Sequence, residues 1–115
     1  LNQNINSLSP VTVGIGKTYT TKCTIPYDNC YYVPGTGLVM IQFLVRSDVI
    51  LPVSTQLFQM TTPAARPSAT RKLPAIMKND GKYFAWYVDI NEYGYIIQNG
   101  GTSVTEIWVD GSYII

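Results

Sequence analysis

Lys82-Tyr83-Phe84-Ala85-Trp86-Tyr87-Val88-Asp89-Ile90 alternates from residue to residue, the period of a half-buried β-strand. Phe84, Trp86, Val88 and Ile90 share the face expected to be core. Tyr83, Ala85, Tyr87 and Asp89 share the other, an amphipathic surface ending in a carboxylate. Asn91-Glu92-Tyr93-Gly94 then reverses the chain, Gly94 supplying the positive φ that a tight turn needs, and Tyr95-Ile96-Ile97 runs back alongside. The stretch predicts a β-hairpin at the centre of an all-β domain.

Working outward, Asn79-Asp80-Gly81 predicts a tight turn that leads from a short strand, Ala75-Ile76-Met77-Lys78, into the hairpin. Residues 38–46 are nearly continuously apolar, which predicts a central strand covered on both faces, with a turn at Asp48. Residues 11–15 and 17–25 alternate as strands, and residues 53–60, flanked by Pro52 and Pro63, read as a strand or edge element. Pro63, Pro67 and Pro74 stiffen an exposed loop over residues 61–74 that carries Arg66, Arg71 and Lys72. Residues 104–109 form another strand, and Asp110-Gly111 predicts a second hairpin turn with Ser112-Tyr113-Ile114-Ile115 returning. Residues 1–10, rich in Asn and Ser with Leu1, Ile5 and Leu8 as apolar points, read as an arm or linker; residues 11–115 read as a single β domain.

The 115 residues suit one domain, 46% hydrophobic and only 13% charged, so polarity is carried by hydroxyls and amides. Such a surface suits neutral hydrogen-bonding partners, sugars or other protein surfaces, better than a phosphate backbone. A net charge of +1 argues against nucleic acid as the partner, and the longest apolar run is far too short to insert in a membrane. Pro34-Gly35-Thr36-Gly37 lacks the Lys-Ser/Thr ending of a phosphate-binding loop and precedes a strand, so it reads as a turn.

The chain has no histidine, which removes Ser-His and Cys-His catalysis and leaves Cys23 and Cys30 without the further ligands that zinc requires. Their spacing permits a disulfide and equally two buried thiols. Carboxylates remain: Asp89 and Glu92 straddle the central turn, and Glu106 and Asp110 flank Trp108. A paired-carboxylate glycosidase is compatible with those residues, but acids on strand ends are common to soluble hairpins, and the reading is of a non-enzyme without metal or cofactor.

The aromatic residues carry the functional reading. Tyr83, Tyr87, Tyr93 and Tyr95 crowd around the hairpin with Asp89 and Asn91 close by, and a ring beside amides and a carboxylate is how a pyranose is gripped. Candidate ligand-binding residues are Tyr87, Asp89, Asn91 and Tyr93, with Trp108 as an alternative platform on a mixed face with Val104, Glu106 and Asp110. Tyrosines also pack well between subunits, so a saccharide site and a subunit interface both fit.

The Asn/Ser-rich arm, the Tyr- and Thr-rich β domain without histidine, and the final strand Glu106-Ile107-Trp108-Val109-Asp110-Gly111 together resemble the distal receptor-binding head of a bacteriophage tail fibre or baseplate protein. The resemblance implies a jelly-roll-like antiparallel sandwich or barrel, a homotrimer, and non-catalytic binding of saccharides on a bacterial surface. It places the protein in a virion, at a tail-fibre or baseplate tip. The alternative is a structural virion or pilus-like assembly module, secreted or at a cell surface, whose aromatic surface is a protein interface.

Overall fold

Alternation sets the architecture: among the residues described by the computed structural model, 9–115, every long strand sends one set of side chains inward and the other outward. The strands are β1 (Val11–Thr12), β2 (Ile15–Lys17), β3 (Cys23–Asp28), β4 (Tyr31–Val33), β5 (Leu38–Leu51), β6 (Gln56–Met60), β7 (Arg71–Asn79), β8 (Lys82–Ile90), β9 (Tyr95–Gln98) and β10 (Val104–Ile114). A single 3₁₀ turn, Pro63–Ala65, interrupts the link from β6 to β7. Of the expected arm, residues 1–8, with Leu1, Ile5 and Leu8, lie outside the described residues; Ser9 and Pro10 are exposed.

All pairings are antiparallel, in the order β1-β4-β5-β10-β7-β8-β9-β6-β2, with β3 also against β5. The two ends of this order, β1 and β2, are separated in sequence only by Val13 and Gly14, so the sheet must curl until its ends meet. Val13 N–H donates to the Cys30 carbonyl at 2.9 Å and Thr61 N–H to the Gly14 carbonyl at 2.8 Å, tying this bridge to both margins. The result is an antiparallel half-barrel, the all-β class expected from the sequence. Its interior is filled by Val39, Ile41, Phe43 and Val45 of β5, Ile107 and Val109 of β10, Leu73 and Met77 of β7, Val88 and Ile90 of β8, and Phe58 and Met60 of β6.

Several expectations need correction. β5 is central, paired on both sides, but its outward residues Leu38, Met40, Gln42 and Leu44 are only half-buried, because nothing layers over that face. It also runs on through Asp48 to Leu51 without turning. Arg71, Lys72 and Pro74 belong to β7 and not to a loop; Pro74 is tolerated because the ladder to β10 starts at Ala75. Asp110-Gly111 is no hairpin turn, since β10 continues to Ile114. A side chain at Gly111 would meet Pro74 Cδ at 2.9 Å, so glycine is there to let β10 pass the proline ring.

The central hairpin is as read. Asp80 and Gly81 both have positive φ, 51° and 76°, as a two-residue turn between β7 and β8 demands, and Gly94 has φ 80° between β8 and β9. Val88 and Ile90 are buried and Phe84 packs against the core. Trp86 departs from the expected core face and is 47% exposed. Its strand outruns its neighbour: β9 pairs only with Val88, Asp89 and Ile90, so residues 82–87 have an unpaired edge with no strand beside it to cover Trp86.

Candidate functional site

Because β3, β5, β10, β7 and β8 are consecutive neighbours, their outward side chains line up in rows across the sheet. One row runs Tyr27, Leu44, Trp108, Ile76, Ala85, and the next runs Thr24, Arg46, Glu106, Lys78, Tyr83. An open hollow of about 320 Å³ lies where they meet, lined by Leu44, Arg46, Ile76, Tyr83, Glu106 and Trp108.

Trp108 is the platform. Tyr27 stacks on it, centroids 5.4 Å apart and planes 17° from parallel, which occupies one face of the indole and fixes the ring. Trp108 remains 37% exposed and Ile76 beside it 43%. These apolar surfaces stay uncovered for the same reason as the outward face of β5.

Glu106 supplies the polar counterpart. Only 8% exposed despite facing outward, it sits below Tyr83 and Arg46. Arg46 Nε donates to its Oε1 at 2.9 Å, while Oε2 is buried without a hydrogen-bond partner in ordinary range. The nearby Tyr83 hydroxyl, then Arg46, hold the carboxyl below the usual glutamate range, against the opposing effect of burial, and Lys78 adds to the lowering. Tyr83's own hydroxyl is pushed up by the same carboxylate and stays a donor. The arrangement is a buried, ionised carboxylate that holds an exposed guanidinium and a tyrosine hydroxyl beside two aromatic rings, suited to a ligand that offers hydroxyls and a flat apolar face.

The sequence-derived candidates divide. Trp108 lies at the centre of this site. Tyr87 and Asp89 share the outward face, but the Tyr87 ring already has the Lys72 ammonium 4.1 Å from its centroid and Trp86 stacked at 5.6 Å. Asp89 is engaged by the Asn99 amide and lies 3.6 Å from Lys72. Asn91 is a turn residue: its Oδ1 accepts from the N–H groups of Tyr93 and Tyr95 at 3.1 and 3.0 Å. Tyr93, 61% exposed, stands at the hairpin tip and does not line this hollow.

No family model, curated protein or solved structure matches the chain.

The remaining basic candidates are spoken for: Arg66 donates through Nε and Nη2 to the Met60 carbonyl at 3.2 and 2.9 Å, and Arg71 Nη2 to that of Ile114 at 3.4 Å. Cys23 and Cys30 are both buried free thiols; burial pushes Cys30 up to about 12, far from a nucleophile's range. Among the described residues no group of acids and cysteines is placed to hold a metal ion, and no helix is long and apolar enough to cross a membrane. Sequence reasoning missed Tyr27, Leu44, Arg46 and Ile76. Only the register of four different strands brings them to Trp108, and one sequence carries no local signal for register.

Proposed function

We propose that this domain is a non-catalytic saccharide-binding module, and that its site is the Trp108 hollow. The observation that carries the reading is the pairing of an exposed, stacked indole with an exposed guanidinium and a tyrosine hydroxyl that a buried, ionised carboxylate holds beside it. An aromatic face takes the C–H side of a pyranose, while the exposed Arg46 and Tyr83, oriented by Glu106 beneath them, meet its hydroxyls. Hydrolysis is disfavoured by what surrounds the acids. Glu106 is held ionised, whereas a general acid needs a raised pKa.

The setting we propose is host attachment: the head of a bacteriophage tail fibre or baseplate protein, binding bacterial surface glycans as a homotrimer. This rests on the resemblance described above and on the low-charge, aromatic surface. A single open hollow binds weakly, and three copies on one particle raise the avidity by roughly 10²–10⁴.

The test is a bacterial glycan array with the purified domain and with Trp108→Ala, after both are shown to melt alike. Expected is binding by the parent and a loss of about 5- to 150-fold on truncation, the value of one aromatic stack of about 1–3 kcal/mol. Equal binding by both proteins would remove the site from Trp108. No binding by the parent would favour the second reading, an assembly module, for which exposed Ile50, Ile76 and Ile114 are the motivating surface.

A further inference from the structure

The Trp108 hollow is not isolated. A second, of about 550 Å³, lies beyond Tyr83 and is lined by Asn79, Asp80, Lys82, Trp86 and Thr102 among others. A third, of about 310 Å³, runs between Trp108 and Trp86 over Ile76 and Ala85, with Asp110 at its margin. The first and second share Tyr83, the second and third share Trp86, and the first and third share Ile76 and Trp108. The second also takes in Phe84 and Gly100, so the hollows run from the outward face around the unpaired edge of β8, with four aromatic side chains, Trp108, Tyr83, Phe84 and Trp86, along them.

Trp86 is a built part of that surface. Its indole N–H donates to the Asn99 carbonyl at 2.6 Å, and Asn99 is itself anchored through its amide to Asp89. The loop carrying Asn99 is held from beneath by Gln98, which is fully buried. Gln98 Nε2 donates to the carbonyls of Leu51 and Thr102 at 3.2 and 2.9 Å, and Oε1 accepts from Gly100 N–H at 2.7 Å. Asn79 Nδ2 donates to Thr102 Oγ1 at 3.0 Å, closing the polar wall of the second hollow. A tryptophan 47% exposed, with its N–H satisfied and its supporting loop fixed by a buried amide, is a preorganised apolar platform.

Spacing indicates what such a surface fits. From β10 to β8 is two strand spacings, roughly 10 Å, and from Tyr83 to Trp86 along β8 is three residues, again roughly 10 Å, from one face of the strand to the other around its unpaired edge. One pyranose covers one aromatic side chain and cannot reach the next across such a gap. We infer that the three hollows are successive subsites for the interior of a linear polysaccharide, so that the domain engages at least three sugar residues at once, with Trp86 as the platform of the outlying subsite. This rests on the saccharide reading of the Trp108 hollow and adds chain length and direction to it.

The probe is whichever polysaccharide binds on the bacterial glycan array, cut by partial acid hydrolysis and separated into a ladder of one to six residues. Calorimetric titration should show affinity climbing to at least three residues before it levels. In Trp86→Ala, binding of the shortest member should be unchanged while the longest loses about 5- to 150-fold, so that the ladder levels sooner. Trp86→Phe should recover much of the loss, which separates a platform from a merely structural indole. Affinity that levels at one residue, or a Trp86→Ala ladder parallel to the parent's, would overturn the extended site while leaving the Trp108 site standing. Absence of any array ligand would overturn both.

Discussion

Glu106 concentrates the chemistry of the site in one residue. Its outward position on β10 would ordinarily expose it, yet the side chains around it leave it almost covered. Because the folded state lowers its pKa, the ionised form is favoured: the stability it contributes is complete above the unfolded glutamate value, about 4.3, and is lost as pH falls through the lower folded value. Saccharide binding should follow the same sign. We expect affinity for the array glycan to be flat from neutral pH down through the ordinary glutamate range and to fall only at more acidic pH. Glu106→Gln should bind about tenfold more weakly at neutral pH, because the charge that holds Arg46 and Tyr83 in place is gone, and should lack most of the acid decline. Titration of both proteins across that range checks it; a Gln variant with the parent's affinity and the parent's pH profile would take Glu106 out of the site. The sequence put Glu106 beside Trp108, but not the burial of its carboxylate, because the covering side chains come from β5 and β8.

Among the elements, β10 shows how a strong local signal is overruled. Asp110-Gly111 between alternating residues is a hairpin signature, yet β10 is flanked over most of its length by β5 and over its first half by β7, and those ladders hold it extended. Glycine serves a close approach instead. A methyl group at position 111 would lie 2.9 Å from Pro74 Cδ and 3.3 Å from Leu73 Cβ, and the proline ring cannot swing aside. Gly111→Ala should therefore destabilise the fold by about 1–3 kcal/mol through overpacking, read as a lowered urea midpoint at unchanged slope. A midpoint equal to the parent's would mean that β7 and β10 separate more easily than this packing implies. β8 shows the reverse case: its alternation correctly divided core from surface at Val88 and Ile90 and failed at Trp86, where the neighbouring strand ends. Periodicity specifies which side a residue faces; burial depends on whether another strand is there to cover it.

At the scale of the molecule, the all-β antiparallel class and the central hairpin were legible because alternation and turn chemistry are local. Curling was not, since it follows from β1 pairing with β4 while β2, two residues further on, pairs with β6. Nor was the gathering of Tyr27, Leu44, Arg46, Ile76 and Tyr83 around Trp108, which needs five strands in register. The outcome is a sheet with a packed interior and an uncovered aromatic face, which we propose is where a glycan sits. The most direct measurement is a ¹H–¹⁵N correlation spectrum titrated with the glycan that binds on the array, because the chain has only two indole N–H signals, Trp86 and Trp108. The account predicts that the Trp108 indole signal shifts at low saturation together with the backbone amides of Glu106, Ile76 and Tyr83, while those of Asn91, Tyr93 and Gly94 stay in place. Shifts confined to the Asn91–Gly94 turn, with the Trp108 signal unmoved at saturation, would contradict it.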